Sequence, residues 1–179
     1  MPTFAALSEA PTIRACVAAD APAIAEIYNY FVRETVITFE ETPVAANEMA
    51  RRIADVSARY PWLVAERDGA VVGWAYAAEW KTRSAYRFSV ETAIYVSPAH
   101  HGRGIGTALY VPLIAELEAL NIHSAVGGIA LPNPASVALH EKLGFTKIAH
   151  FGEVGRKFDR WVDVGYWQLV LENKSGPTK

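Results

Sequence analysis

The reading turns on one stretch, residues 94–107: Ile94-Tyr95-Val96-Ser97-Pro98-Ala99-His100-His101-Gly102-Arg103-Gly104-Ile105-Gly106-Thr107. Its first residues end a β-prone run, and Ser97-Pro98 breaks that run. An apolar series spaced mostly by four then begins with Ile105, Leu109, Leu113, Leu117 and Leu120. A strand, a short glycine-rich turn and a helix, in that order, bring consecutive backbone amides to the positive end of the helix, a geometry suited to phosphate or pyrophosphate. A plain structural turn has the same pattern and stays open. A dinucleotide fold would place the loop near the chain start, with an acidic residue about 20 positions on; here it lies past the midpoint. A mononucleotide loop ends in Gly-Lys-Ser/Thr, whereas Gly106-Thr107 has no lysine.

Upstream of the loop, 86–96 (YRFSVETAIYV) predicts a central strand, and 62–66 and 71–78 flank an Arg67-Asp68-Gly69-Ala70 hairpin turn. Residues 12–17 (TIRACV) suit an edge strand. Asp20 is expected to cap a first helix whose Ile24, Ile27, Tyr28 and Phe31 share a face, and a second helix is expected over 44–59. The connection between them, ETVITFEETP, is too apolar for a simple loop and is expected to pack or to face a ligand. Downstream, a helix over 104–120 contains Pro112, expected to kink it or to force a local rearrangement. A strand over 122–130 follows, then a short helix starting at Asn133 or Pro134 and ending at Gly144. Strands over 145–154 and 161–171 are joined by a polar GRKFDR connection. This order predicts an α/β fold, a mixed twisted sheet covered by helices on both faces.

At 179 residues and 19.6 kDa, the chain suits a single domain over 1–179, with a core of about 11–172 and a polar tail at 173–179. Nineteen acidic against seventeen basic side chains give no electrostatic footprint for nucleic acid, and none for an anionic membrane surface. One cysteine, Cys16, excludes an intrachain disulfide framework and a multi-cysteine zinc site. His100, His101 and His150 have no acidic or thiol partners at ligand spacing, so no metal is expected. No span or signal peptide is visible, and a cytoplasmic protein without a nucleic acid or membrane partner is the expectation.

The run from Glu91 to Leu109 resembles the acetyl-coenzyme A motif of the GNAT N-acetyltransferase superfamily, Gln/Arg-x-x-Gly-x-Gly/Ala. The motif falls on His101, Gly104 and Gly106, so its first position departs from the pattern. A late Asn133, a helix with His140 where superfamily members commonly have tyrosine, and Gly144-Phe145 continue the resemblance. Blocks at 27–40 (IYNYFVRETVITFE), 60–66 (YPWLVAE), 85–98 (AYRFSVETAIYVSP), 131–145 (LPNPASVALHEKLGF) and 161–169 (WVDVGYWQL) are similar to the phosphinothricin and methionine sulfoximine N-acetyltransferase family, in its order.

That resemblance implies acetyl-CoA as cosubstrate, a small amino acid analogue as acceptor and a homodimer. It implies a coenzyme site of Ile94, Tyr95, Val96, His101, Gly102, Arg103, Gly104, Ile105, Gly106, Thr107, Asn133 and Ser136. Acetyl transfer needs a neutral amine and a proton for the departing thiolate. Glu91 is the leading base, because an acid in a weakly polar strand is expensive unless it faces a cleft, water or a basic group, and the family has its glutamate there. His140, one helical turn from Ser136, either protonates the thiolate or assists Glu91. Asn133 contacts the coenzyme or caps its helix. Arg83 is the expected counter-charge for the substrate, and Thr38, Phe39, Trp74 and Tyr76 are candidate walls, each alternatively core packing. Other acceptors, an ordinary amino acid or another small amine, remain open, as does a non-catalytic coenzyme A-binding module.

Overall fold

The computed structural model describes residues 10–171. The tail expected at 173–179 lies outside them. Seven strands, β1 Thr12–Ala15, β2 Trp62–Arg67, β3 Ala70–Glu79, β4 Ser89–Val96, β5 Ser124–Leu131, β6 Thr146–Lys157 and β7 Arg160–Val170, form one sheet in the order β1-β2-β3-β4-β5-β7-β6. Every neighbouring pair is antiparallel except β4 and β5, which run parallel and are joined through helix α3, Ile105–Ala119. The mixed sheet and the helices on both faces match the predicted class.

Alternation along the strands assigns the two faces. Trp62, Val64 and Trp74 point to helices α1, Ala21–Glu34, and α2, Ala46–Ser57, where Ile24, Tyr28, Val32, Met49 and Ile53 close one core. Leu63, Ala65, Ala75, Ala77 and Val90 point the other way, onto α3. Ile105, Leu109, Leu113 and Leu117 of α3 are at most 1% exposed, each contributing roughly 1.5–3 kcal/mol of apolar burial. Helix α4, Pro134–Lys142, lies on that same face.

Several expectations shift in detail. The Asp20 side chain does not cap α1; it accepts the Val17 amide and pairs with Arg14 at 2.7 Å, tying β1 to the helix entry. Helix α3 runs through Pro112 from Ile105 to Ala119. The predicted strand over 86–96 begins only at Ser89, because β3 ends its pairing at Glu79 opposite Val90 and Ser84–Tyr86 turns as a 3-10 helix. The GRKFDR segment is mostly strand: Gly155 and Lys157 face inward, Arg156 faces out, and only Phe158-Asp159 turns.

That turn has φ of 50° at Phe158 and 56° at Asp159, the left-handed pair that a two-residue hairpin demands and that favours Asn-Gly. Asp159→Gly is therefore expected to stabilise the protein by about 0.5–1 kcal/mol, read from denaturant unfolding midpoints. A lower midpoint would show that the Arg156–Asp159 ion pair outweighs the relieved strain.

Candidate active site

Parallel pairing of β4 with β5 runs only from Ser89↔Ser124 to Thr92↔Gly127. Beyond that point each strand keeps its outer partner, β3 or β7, but the two part from one another. Backbone groups of Ala93–Val96 and of 128–130 thus face an open cleft of about 420 Å³. At its far end the chain turns through Gly102 and Gly104, at φ of 72° and 77°, values that L side chains rarely adopt, and enters α3. Gly106 in the first turn of α3 lies so close to Leu139 that a Cβ would stand 2.9 Å from its Cδ2. The first turn of a fifteen-residue helix, Ile105–Thr107, thus lines the cleft, and its N-terminus meets it through Gly104.

On the α3/α4 face, His140 is 3% exposed and lines the cleft with Tyr110 and Thr92. Its Nδ1 lies 2.8 Å from the Ser136 carbonyl, which can only accept, so Nδ1 carries the proton. Burial lowers the His140 pKa against the opposing effect of that carbonyl and keeps the ring neutral. Its Nε2 therefore presents a lone pair, and the Tyr110 hydroxyl, 3.0 Å away, donates to it. The longer contact of Tyr110 with Thr92 Oγ1, 3.4 Å, competes for the same hydrogen and is the weaker of the two.

Glu91 stands on the opposite face of the sheet, its side chain open on one side. Enough protein surrounds the carboxyl for burial to raise its pKa, with Lys81 opposing. A Cβ on Gly128 would lie 3.3 Å from Glu91 Oε1 and 3.2 Å from the Tyr166 ring; a Cβ on Gly127 would lie 2.6 Å from His140 Nε2. Two consecutive glycines of β5 thus admit the carboxylate from one face and the imidazole from the other, where the strands part.

Of the other expected residues, Ile94, Tyr95, Val96, His101, Ile105, Thr107 and Ser136 line the cleft with the glycines. Asn133 lines it too and caps α4, its Oδ1 accepting the Ser136 amide at 3.1 Å. His101 braces the loop, its Nε2 donating to the Val96 carbonyl at 2.8 Å while its ring stacks on Phe31. Arg103 is exposed and outside the cleft lining. Trp74, expected as a wall, is 2% exposed and enclosed by the rings of Tyr28, Trp62, Tyr76 and Tyr95, so it is core. Tyr76 is half-buried on the Glu91 face, and Thr38 is buried against the Tyr28 hydroxyl at 2.7 Å. Arg83 is exposed in a loop; the basic group acting on Glu91 is Lys81. Among the described residues no group of three or more His, Cys, Asp or Glu side chains is placed to hold a metal ion, and no helix is long and apolar enough to cross a membrane.

Sequence reasoning missed Gly127, Gly128 and Tyr166, and gave Tyr110 no role in the chemistry. Paired glycines inside the β-prone SAVGGIAL were a usable signal, since strand glycine marks close approach. Tyr166 had no comparable mark.

The Acetyltransferase (GNAT) domain family matches residues 13–165. The chain is 41% identical over 165 residues to a phosphinothricin N-acetyltransferase of Streptomyces viridochromogenes, covering 92% of this chain and 90% of the relative. It is 40% identical over 170 residues to an L-methionine sulfoximine/L-methionine sulfone acetyltransferase of Salmonella typhimurium, covering 93% and 98%. A phosphinothricin acetyltransferase of Sinorhizobium meliloti, solved in complex with acetyl-CoA, superimposes with a TM-score of 0.88 at 41% identity, covering 91% of this chain and 89% of that one.

The raised pKa of Glu91 has a consequence for stability. A carboxyl that binds its proton more tightly when folded contributes most at low pH, and the contribution is lost as pH rises through the folded-state value. Glu91→Gln is thus expected to melt above the wild type at pH 7, with the gap closing toward pH 4. Calorimetry of both proteins across that range tests this; a lower-melting variant at pH 7 would show that the carboxylate is held by interactions stronger than its desolvation.

Proposed function

Because the chain belongs to the acetyltransferase (GNAT) family, we propose that it moves the acetyl group of acetyl-CoA onto the α-amine of a small amino acid analogue such as phosphinothricin, methionine sulfoximine or methionine sulfone. The observation that carries this reading is the parting of β4 from β5, with the glycine turn at one end and Glu91 and His140 on either side of Gly127-Gly128 at the other.

The residues present fit the cosubstrate. Amides of 102–107 and the start of α3 suit a pyrophosphate, and the unpaired strand edges suit the amide-bearing arm of the coenzyme. When bound, acetyl-CoA supplies the thioester carbonyl as electrophile. Glu91 takes the proton of the acceptor amine, and its raised pKa suits it to that work better than an ordinary carboxylate. On the sulfur side we assign the proton to the Tyr110 hydroxyl, which turns from His140 Nε2 to the departing thiolate and is reprotonated through solvent in the cleft by the proton that Glu91 took from the amine; the neutral imidazole holds the hydroxyl between turnovers. Attack is direct, because burial pushes the Cys16 thiol up to about 12, leaving a poor nucleophile, and Cys16 lies beyond the end of edge strand β1. Lys81 and Arg83 are the basic groups offered to the acid end of the substrate.

Thiol release from acetyl-CoA with phosphinothricin, methionine sulfoximine, methionine sulfone and the natural amino acids tests the reading, and silence with all of them would overturn it. In the active enzyme kcat/KM is expected to rise with pH along a limb set by Glu91. Glu91→Gln should abolish that limb, with its deficit easing at high pH as the amine deprotonates unaided. His140→Ala should lower kcat by up to about 10²-fold; wild-type rates in both variants would remove both residues from the chemistry.

The reading extends to assembly and place. The outer strand β6 exposes Ile148, Phe151 and Val154, and β7 exposes Trp161 at 60%, an apolar sheet edge of a kind soluble proteins usually cover. A second copy is the proposed cover, and a reducing cytoplasm suits the free Cys16. Light scattering at micromolar concentration should give about twice 19.6 kDa; a monomer there would overturn the dimer and leave the chemistry standing.

A further inference from the structure

Lys157 is 2% exposed, and its Nζ donates to the backbone carbonyl of Thr38 at 2.7 Å, joining β6 to the α1–α2 connection across 119 residues of chain. Glu40 and Glu41 act on the ammonium only at a distance. An enclosed cation whose partners are one carbonyl and the ring of Phe158, 5.1 Å from Nζ, is costly to bury, which makes the segment it holds the point of interest.

That segment, 37–39, has no helix or strand of its own and is held at three places. Ile37 lines the cleft. Thr38 is clamped between Lys157, at its carbonyl, and the Tyr28 hydroxyl, 2.7 Å from its Oγ1. Phe39 packs on Gly155, where a Cβ would collide with its Cε2 and Cζ, so the alternate residues Gly155 and Lys157 of β6 receive Phe39 and the Thr38 carbonyl. Tyr28 in turn packs edge-on against Tyr95 of β4, which lies on the Glu91 face of that strand. The connection between the first two helices is thus pinned to the C-terminal hairpin on the Glu91 face of the sheet, and its polar clamp, at Thr38, includes no residue of the glycine turn.

Resting on the acceptor chemistry above, we propose that Lys157 is a positioning residue for the amino acid substrate: by holding the Thr38 carbonyl it fixes segment 37–39 against β6 and sets the width of the acceptor site. Losing the hold should loosen acceptor binding and leave the coenzyme end untouched, because residues 102–107 have no part in the clamp.

Lys157→Met keeps the aliphatic stem and removes the donors. With the acceptor that turns over in the wild type, its KM is expected to rise about tenfold. The KM for acetyl-CoA and the calorimetric Kd for coenzyme A should stay within a factor of two or so, and kcat should fall much less than KM rises. Gly155→Ala, which leaves Lys157 in place and displaces Phe39, should give the same split and serves if Lys157→Met does not fold. An unchanged acceptor KM in either folded variant, or equal losses toward both substrates, would overturn the positioning role. Wild-type enzyme with no acceptor at all would overturn the acetyltransferase reading and this role with it, whereas wild-type turnover with indifferent variants overturns this role alone.

Discussion

The parting of two parallel strands carries most of this structure's consequences. Four residue pairs hold β4 to β5, and past Thr92 and Gly127 their facing edges have no strand partner. Unpaired backbone groups inside a sheet are unfavourable unless something bonds them, so the split persists only where the outer halves are held independently. They are: β4 stays zipped to β3 through Val96, and β5 to β7 through Leu131. The result is an opening bounded by rigid strands, with donors and acceptors already aimed at whatever enters.

Electrostatics then differ on the two sides of the same strand. On one, a carboxylate with an open side and a lysine nearby is pushed toward its neutral form by burial. On the other, a nearly sealed imidazole is neutral and oriented by a backbone carbonyl, with a tyrosine hydroxyl at its remaining nitrogen. One cause, desolvation, raises the acid's pKa and lowers the histidine's, moving both toward the range in which proton transfer near neutral pH is efficient. Glycines at 127 and 128 let the two approach one strand from both faces, a closeness that any larger pair of residues would block.

Much of this was legible beforehand. The hairpin around Asp68-Gly69, the apolar series of α3 and the glycine turn each have a local cause, so their signals sit in adjacent residues. Misreadings arose where a distant partner decides. Tyr86 and Phe88 have strand propensity, but β3 has ended and offers them nothing to pair with. Trp74 carries the same aromatic face whether it lines a pocket or fills a core, and only the rings of Tyr28, Trp62, Tyr76 and Tyr95 around it make it core. GRKFDR looks like a loop by composition, yet Lys157 is drawn inside by a carbonyl on the other side of the molecule.

Taken by itself, the sequence determined the element order, the mixed α/β class and the phosphate-suited turn, because periodicity and turn chemistry are local properties; the cost of a charge in an apolar strand marked Glu91 as a candidate, and the family resemblance singled it out as the leading base. Tertiary structure alone decided that β4 and β5 part after Thr92, that Glu91 and His140 stand on opposite faces of β5, and that Lys81 acts on Glu91. It also decided that Lys157 reaches Thr38. Each of these depends on which strands become neighbours and how far their pairing continues, and register between segments tens of residues apart leaves no mark within either segment.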